Sequence, residues 1–219
     1  RMLGEYDIFP ENICAIIDKY DRMRIEILAP NDTKGLDNLR LTNEISKICK
    51  REFERGKINV SSAGTMLSFM EKPNFKMSIG FAQYSAEGNL CGDTIKTIND
   101  SRGHMIFIIS DGMGKGSRAA LDGAMGAGLL SKLLSAGFGF DSSLKVVNSA
   151  LLVKSHEESL ATLDCIRVDL FSGKCEFYKA GAPKSYVVKE NSLTKCELTS
   201  MPAGILRGVE FAKRTTLLN

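Results

Sequence analysis

The chain has 219 residues, 43% of them hydrophobic and 25% charged, with 29 Lys plus Arg against 26 Asp plus Glu for a net charge of +3. That balance excludes a disordered or fibrous chain, and the length gives one or two globular domains enough core to fold without disulfide or metal staples. No dense basic stripe with interleaved aromatics points to nucleic acid, and no apolar stretch nears the roughly 20 residues of a membrane helix.

The six cysteines (Cys14, Cys49, Cys91, Cys165, Cys175 and Cys196) form no C-x-x-C pair and lie at no metal-ligand spacing with a His. They read as buried thiols of a reducing compartment, and a structural zinc site is not expected. No signal-peptide pattern opens the chain, so a cytoplasmic location is expected. A start at Arg1 reads as a piece of a longer protein, whose parent could be membrane-anchored elsewhere.

In chain order, Ile13, Ile16, Ile17 and Tyr20 recur at i, i+3, i+4, i+7, and that spacing predicts a helix after Pro10. Residues 24–29 (R-I-E-I-L-A) alternate as a strand closed by Pro30 and Asn31-Asp32. Leu41, Ile45, Ile48, Cys49 and Phe53 make a second helical stripe ending near Gly56. The undecided stretch 57–73 contains a turn at 61–64, and the domain boundary is placed near Lys72-Pro73. Residues 1–72 thus read as a small helix-strand-helix segment and residues 73–219 as a separate domain.

Beyond the boundary, Phe75, Met77, Ile79 and Phe81 alternate at period two, which predicts a half-buried antiparallel strand. A polar loop, 85–92, leads to Asp93. After a turn at 99–103, the most apolar strand, 105–109, runs straight into S-D-G-M-G-K-G-S at 110–117. Ser117 can cap a helix over 118–135, and Asp141 or Ser142 another through Val153. Gly123, Gly126 and Gly128 inside the first helix cost about 1 kcal/mol each relative to Ala, which indicates close packing on a sheet. Strands follow at 162–170, 173–179 and 186–189. Strands, two helices and more strands, without regular alternation, predict an α+β sandwich rather than a doubly wound sheet.

The chemistry concentrates at 108–116. Asp111, delivered at the end of a buried strand into a glycine-rich loop, exposes a carboxylate beside free backbone groups, and Gly112 can add its carbonyl. Oxygen donors of this kind suit Mg²⁺ or Mn²⁺. A plain strand-to-helix turn is the alternative for this segment. Phosphate capture by the loop amides is a second alternative, but Lys115 is followed by Gly116 where the P-loop needs Ser or Thr. Asp93 lies eighteen residues before Asp111, and a hairpin would bring both carboxylates to one end of a sheet. His104 and His156 show no triad context and read as surface or packing residues.

Gly92-Asp93, I-S-D-G-M-G-K-G at 109–116, Leu163-Asp164, K-A-G-A-P at 179–183 and M-P-A-G-I at 201–205 together resemble the phosphatase-domain family of stage II sporulation protein E. That family is a branch of the metal-dependent type 2C serine/threonine protein phosphatases. The resemblance implies an α-β-β-α sandwich with antiparallel sheets over about 75–219, behind a small α/β regulatory or linker segment at 1–72. It further implies a two-metal hydrolase with two Mn²⁺ or Mg²⁺ ions: Asp111 bridges them, Gly112 gives its carbonyl, and Asp93 holds metal-bound water. Catalysis is then expected from Asp111 and Asp93, with Asp93, Asp111 and Gly112 at the metal.

Family aspartates from a later D-G segment and from the domain C-terminus are expected beyond Asn219, together with the last strands. Asp164, Asp169 and Glu210 match none of the family's metal-binding motifs. By resemblance, the substrate is a phosphorylated anti-sigma-factor antagonist whose dephosphorylation controls a sporulation sigma factor, and a homodimer is possible. The alternatives are an inactive pseudophosphatase or regulatory binding module, and a nucleotide-binding switch. The helices after the metal loop are candidates to carry control from residues 1–72.

Overall fold

The computed structural model describes residues 2–30, 35–62, 64–85, 91–100, 102–114, 116–154, 159–190 and 192–218. His156, Lys115 and the predicted Asn31-Asp32 turn lie outside the described residues. The chain divides into two compact units, 1–73 and 74–219.

In the first unit, a 3-10 turn over Met2–Tyr6 precedes strands β1 (Asn12–Ile17) and β2 (Met23–Ala29), helix α1 (Asn38–Cys49), and strands β3 (Lys57–Ser61) and β4 (Gly64–Met70). The four strands form an antiparallel sheet in the order β1-β2-β4-β3. Burial alternates along β2 and β4, so Ile25, Ile27, Ala29, Leu67 and Phe69 face Leu41 and Ile45 of α1, with Ile8 and Phe53 closing the core.

The predicted helix after Pro10 is instead β1. Its stripe ran across a turn: Asp18 accepts hydrogen bonds from the amides of Tyr20 (2.8 Å) and Arg22 (3.0 Å), and Asp21 takes φ 62°. Only six residues precede that turn, three of them β-branched Ile, which suits a strand and is too short for a helix. The second helix also stops earlier than Gly56. Lys50 adopts the left-handed conformation (φ 52°) as its C-cap, while the Asp37 carboxylate caps the start by accepting from the Arg40 amide. Gly56 is instead a packing glycine, where a Cβ would overlap the Phe69 ring.

The second unit contains β5 (Asp93–Asn99), β6 (His104–Asp111), α2 (Gly116–Ser135), α3 (Phe140–Lys154), β7 (Leu163–Asp169), β8 (Lys174–Ala180), β9 (Ser185–Lys189), β10 (Ser192–Cys196) and β11 (Ala212–Leu217). Five strands form one antiparallel sheet in the order β11-β8-β7-β6-β5, and β9 and β10 form a separate hairpin. Period-two alternation gives the large sheet two apolar faces. Ile106, Ile108, Leu163 and Cys165 meet Leu130, Leu144, Val147 and Leu151 of α2 and α3 on one side. On the other, Val168, Cys175 and Phe177 meet Val187 and Cys196 of the hairpin. Helices, sheet and second sheet stack as the α, β and β layers of the expected sandwich.

The predicted strand over 75–81 forms no ladder. Alternation chooses a face, but a strand exists only by pairing, and among the described residues the segment shows one backbone bond outside itself, Phe75 N–H to the carbonyl of Leu170 just after β7 at 2.9 Å. Met77 packs on the second core while Phe81 is 75% exposed. Both helix caps shift as well. Ser117 lies inside α2, and Asp141 lies in the first turn of α3, where it pairs with Lys213 at 2.7 Å. All six thiols are free; Cys165, Cys175 and Cys196 are buried as expected, whereas Cys14 is exposed. Burial first, then Cys196 and Glu176, pushes the Cys175 thiol up to about 12, so it is inert at neutral pH.

The K-A-G-A-P stretch is scaffold between the two sheets. Lys179 is fully buried, its ammonium bonded to the Asp164 carboxylate, the Pro183 carbonyl (2.7 Å) and Ser185 Oγ (2.7 Å). Removing one partner strands the other charge in a low-dielectric layer. Lys179→Ala is expected to cost about 3–5 kcal/mol in urea unfolding, and Lys179→Met with Asp164→Leu markedly less. Equal losses for the two variants would show that the charge pair is not what the layer depends on.

Candidate metal centre

β5 starts on Asp93 and β6 ends on Asp111, and the antiparallel register makes these two residues direct partners. Direct cross-strand partners project from the same face, so both carboxylates stand at one corner of the sheet. Burial, then the neighbouring Asp93 charge and a hydrogen bond with its side chain, raises the pKa of the Asp111 carboxyl above the ordinary range. The hairpin expected to bring the two together exists, although its first strand is 93–99 and not 75–81.

The loop after Asp111 is fixed on three sides. Asp111 exchanges bonds with Thr162: its N–H donates to Thr162 Oγ1 (3.2 Å), and its carbonyl accepts from the Thr162 amide (2.8 Å). Gly112 bridges to Ala161, and Ala161 to Ala203, so the M-P-A-G-I stretch buttresses the loop from behind. On the third side, the Gly112 amide donates to the Gly92 carbonyl at 3.1 Å.

Helix α2 presses on this loop through residues without side chains. A Cβ on Gly112 would overlap the Ala119 carbonyl oxygen, and one on Gly123 would overlap the Gly92 carbonyl oxygen. A Cβ on Gly126 would lie 2.8 Å from Ser110 Oγ. The helix glycines read as packing residues divide accordingly: Gly123 and Gly126 meet the loop and β6, whereas Gly128 faces open space.

A cradle lies above Gly92. The point where its Cβ would sit is 3.1 Å from the Gly112 carbonyl oxygen and 3.2 Å from Asp111 Oδ1. Two hard oxygens thus converge on space that the glycine leaves open and a side chain would crowd, beside a second carboxylate, and this donor set fits Mg²⁺ or Mn²⁺. Asp111 and Gly112 meet at the cradle, with Asp93 alongside. Among the described residues no group of three or more His, Cys, Asp or Glu gathers as a metal cluster. Asp164 is occupied by Lys179, and Asp169 accepts from the amides of Phe171 and Ser172. His104 is a packing residue bonded to Asp100.

Sequence reasoning missed Thr162 and Ala119, and it took Gly92 only as part of the Gly92-Asp93 motif, not as the residue that leaves the cradle open.

The model of the family "Stage II sporulation protein E (SpoIIE)" matches residues 101–219, more than half of the chain. The stage II sporulation protein E of Bacillus subtilis (strain 168) is 29% identical over 141 residues, covering 64% of this chain and 17% of its own length. That of Priestia megaterium is 30% identical over 123 residues, 56% of this chain and 21% of its own length. The chain therefore spans about a fifth of the curated relatives it matches. A solved structure of the PP2C phosphatase domain and a fragment of the regulatory domain of SpoIIE from Bacillus subtilis aligns with all of this chain and 64% of that one, with TM-score 0.66 and 23% identity. It shows the fold to be that of a PP2C phosphatase domain. The chain belongs to the stage II sporulation protein E family.

Glycine substitutions in α2 test the packing. Gly→Ala in a helix normally stabilises by about 1 kcal/mol. Gly128→Ala is expected to gain about that much, whereas Gly123→Ala is expected to lose about 2 kcal/mol or more in thermal or urea unfolding, because the helix must move off the loop.

Proposed function

We propose that this chain carries the core of a divalent-cation-dependent protein serine/threonine phosphatase. The observation that carries the reading is the direct pairing of Asp93 and Asp111 beside the Gly112 carbonyl. Family membership and the PP2C fold support it. The substrate class that fits is a phosphorylated anti-sigma-factor antagonist, whose dephosphorylation would act on a sporulation sigma factor. The reading places the phosphatase unit in the cytoplasm; among the described residues no helix is long and apolar enough to cross a membrane.

In this reading Asp111 and the Gly112 carbonyl hold Mn²⁺ or Mg²⁺, two ions per complete site, and Asp93 orients water from the adjacent strand. When bound, two such ions supply an acidified water and charge neutralisation for the phosphoryl group. The chain's own contribution is positional. Thr162 and the Ala161 and Ala203 bridges fix the Asp111 backbone, so its carboxylate needs little reorganisation to act. Gly112 keeps its carbonyl turned to the cradle because α2 leaves no room for a side chain. Two neighbouring carboxylates also place negative charge where a phosphate would be repelled unless cations are present, which makes hydrolysis metal-dependent. No Ser or Cys nucleophile is required.

The full-length protein is expected to release phosphate from a phosphoserine protein in Mn²⁺ and not in chelator. Asp111→Asn should lower kcat/KM by at least about 100-fold while leaving the fold intact. Phosphate release unchanged by Asp111→Asn would refute the assignment, and a folded, Mn²⁺-supplied protein without activity would support the regulatory binding module instead.

A further inference from the structure

Residues 201–210 belong to no helix and to no strand of either sheet, yet this strap backs the proposed metal loop. Ala203 and Ala161 exchange two backbone hydrogen bonds, at 2.9 and 3.0 Å. One step further, the Thr162 amide donates to the Asp111 carbonyl at 2.8 Å and the Met113 amide to the Leu160 carbonyl at 2.9 Å, which sets Ala161 against Gly112. Both contacts are isolated bridges, without a ladder on either side to hold their register. The strap therefore needs a fastening of its own.

Asn148, on α3 and 4% exposed, provides it. Its Oδ1 accepts from the Gly204 amide at 2.8 Å, and its Nδ2 donates to the Leu206 carbonyl at 3.0 Å. An asparagine amide presents acceptor and donor on separate atoms, so one buried side chain grips two strap positions two residues apart. Gly204 is shaped to this seat: its φ is 92°, and a Cβ there would overlap the Ser159 carbonyl oxygen and lie 3.0 Å from Leu151 Cβ.

We infer that Asn148 is a positioning residue for the proposed metal centre, holding the backbone of Asp111 and Gly112 in place through the 203–206 strap and Ala161. The inference rests on the metal-dependent reading, although the bonds of Asn148 go to the strap and not to the acidic corner. Without the amide, the buried Gly204 N–H is left unpaired, and the strap relieves that cost only by moving toward water. Ala203 moves with it. Ala161 then loses the bonds behind Gly112, and the carbonyl and carboxylate at the cradle lose their aim.

The test separates aim from stability. In the full-length protein, Asn148→Ala is expected to weaken Mn²⁺ binding about tenfold, read from the electron paramagnetic resonance signal of free Mn²⁺. Phosphate release should fall at limiting Mn²⁺ and recover at saturating Mn²⁺. Val168→Ala, which opens the core on the other face of the sheet, should lower the melting temperature and leave Mn²⁺ affinity unchanged. In chelator, amide exchange in Asn148→Ala should quicken at Ala203, Ala161, Thr162 and Met113 and keep its wild-type rate along β7 and β8. If Asn148→Ala does not fold, Asn148→Ser, whose hydroxyl can keep one of the two bonds, should show the same changes at smaller size.

Wild-type Mn²⁺ affinity in a folded Asn148→Ala protein, or unchanged exchange at Thr162 and Met113, would overturn the proposal and leave the metal reading intact. An equal loss of affinity in Val168→Ala at equal melting temperature would also overturn it, by tracing the effect to general destabilisation. A wild-type protein that binds no Mn²⁺ would refute the metal reading itself, and the exchange pattern in chelator would then decide separately whether Asn148 holds the loop.

Discussion

Two carboxylates directly opposite each other across an antiparallel ladder repel, and the arrangement of the second unit follows from holding them there. Like charges at cross-strand positions destabilise a hairpin. The ladder nonetheless places Asp93 against Asp111 at the end where β6 stops and the glycine loop begins. What keeps the corner from splaying is backbone. The Asp111–Thr162 exchange, the Gly112–Ala161–Ala203 bridges and the Gly112 to Gly92 bond anchor main chain, and among the described residues no cation pairs with either carboxylate.

The cations elsewhere in the unit are arranged consistently with this. Lys179 neutralises Asp164 between the sheets, Lys154 pairs with the buried Asp122 on α2, and Arg167 and Lys174 hold Glu176. Burial alone would raise the Glu176 pKa, but hydrogen bonds from Lys174 and Arg167 outweigh it and hold the carboxyl below its usual range. Asp111 shifts the other way, raised by burial and by its acidic neighbour. The ion pairs of Asp164, Asp122 and Glu176 thus differ in kind from the acidic corner, where two carboxylates are set against each other.

The legible parts of the sequence were those whose signal is local and dense. Met105 to Ile109 running into D-G-M-G gave both an interior strand, β6, and the exposed Asp111, because burial and a glycine loop leave a plain composition trace. The β5, β10 and β11 strands were not legible: D-T-I-K-T-I-N, S-L-T-K-C and A-K-R-T-T-L are edge or hairpin strands with largely exposed residues, so no period-two pattern marks them. β1 was misread because an isoleucine spacing of three and four can arise in a strand plus its turn. Thr162 and Gly92 act on Asp111 through tertiary contact, which periodicity does not record. Residues 75–81 show the reverse failure, an alternation with no ladder to join.

The donor count at the corner has a further consequence. A hard divalent cation takes six or more oxygens. Among the described residues the corner offers the carboxylates of Asp93 and Asp111 and the carbonyl of Gly112, all from two strand ends, and no denser acidic cluster exists. Most of a cation's remaining coordination would therefore come from water, from other parts of the protein or from the phosphate itself. If cations bind at this corner as proposed, they would be held more tightly when a phosphate is present, and by linkage the phosphate more tightly when the cations are. The glycines that bring α2 against the loop matter for the same reason. With few protein donors, cation affinity at the proposed site would depend on how accurately the Gly112 carbonyl and the Asp111 carboxylate are aimed, and only residues without side chains at 112 and 123 permit that approach of the helix.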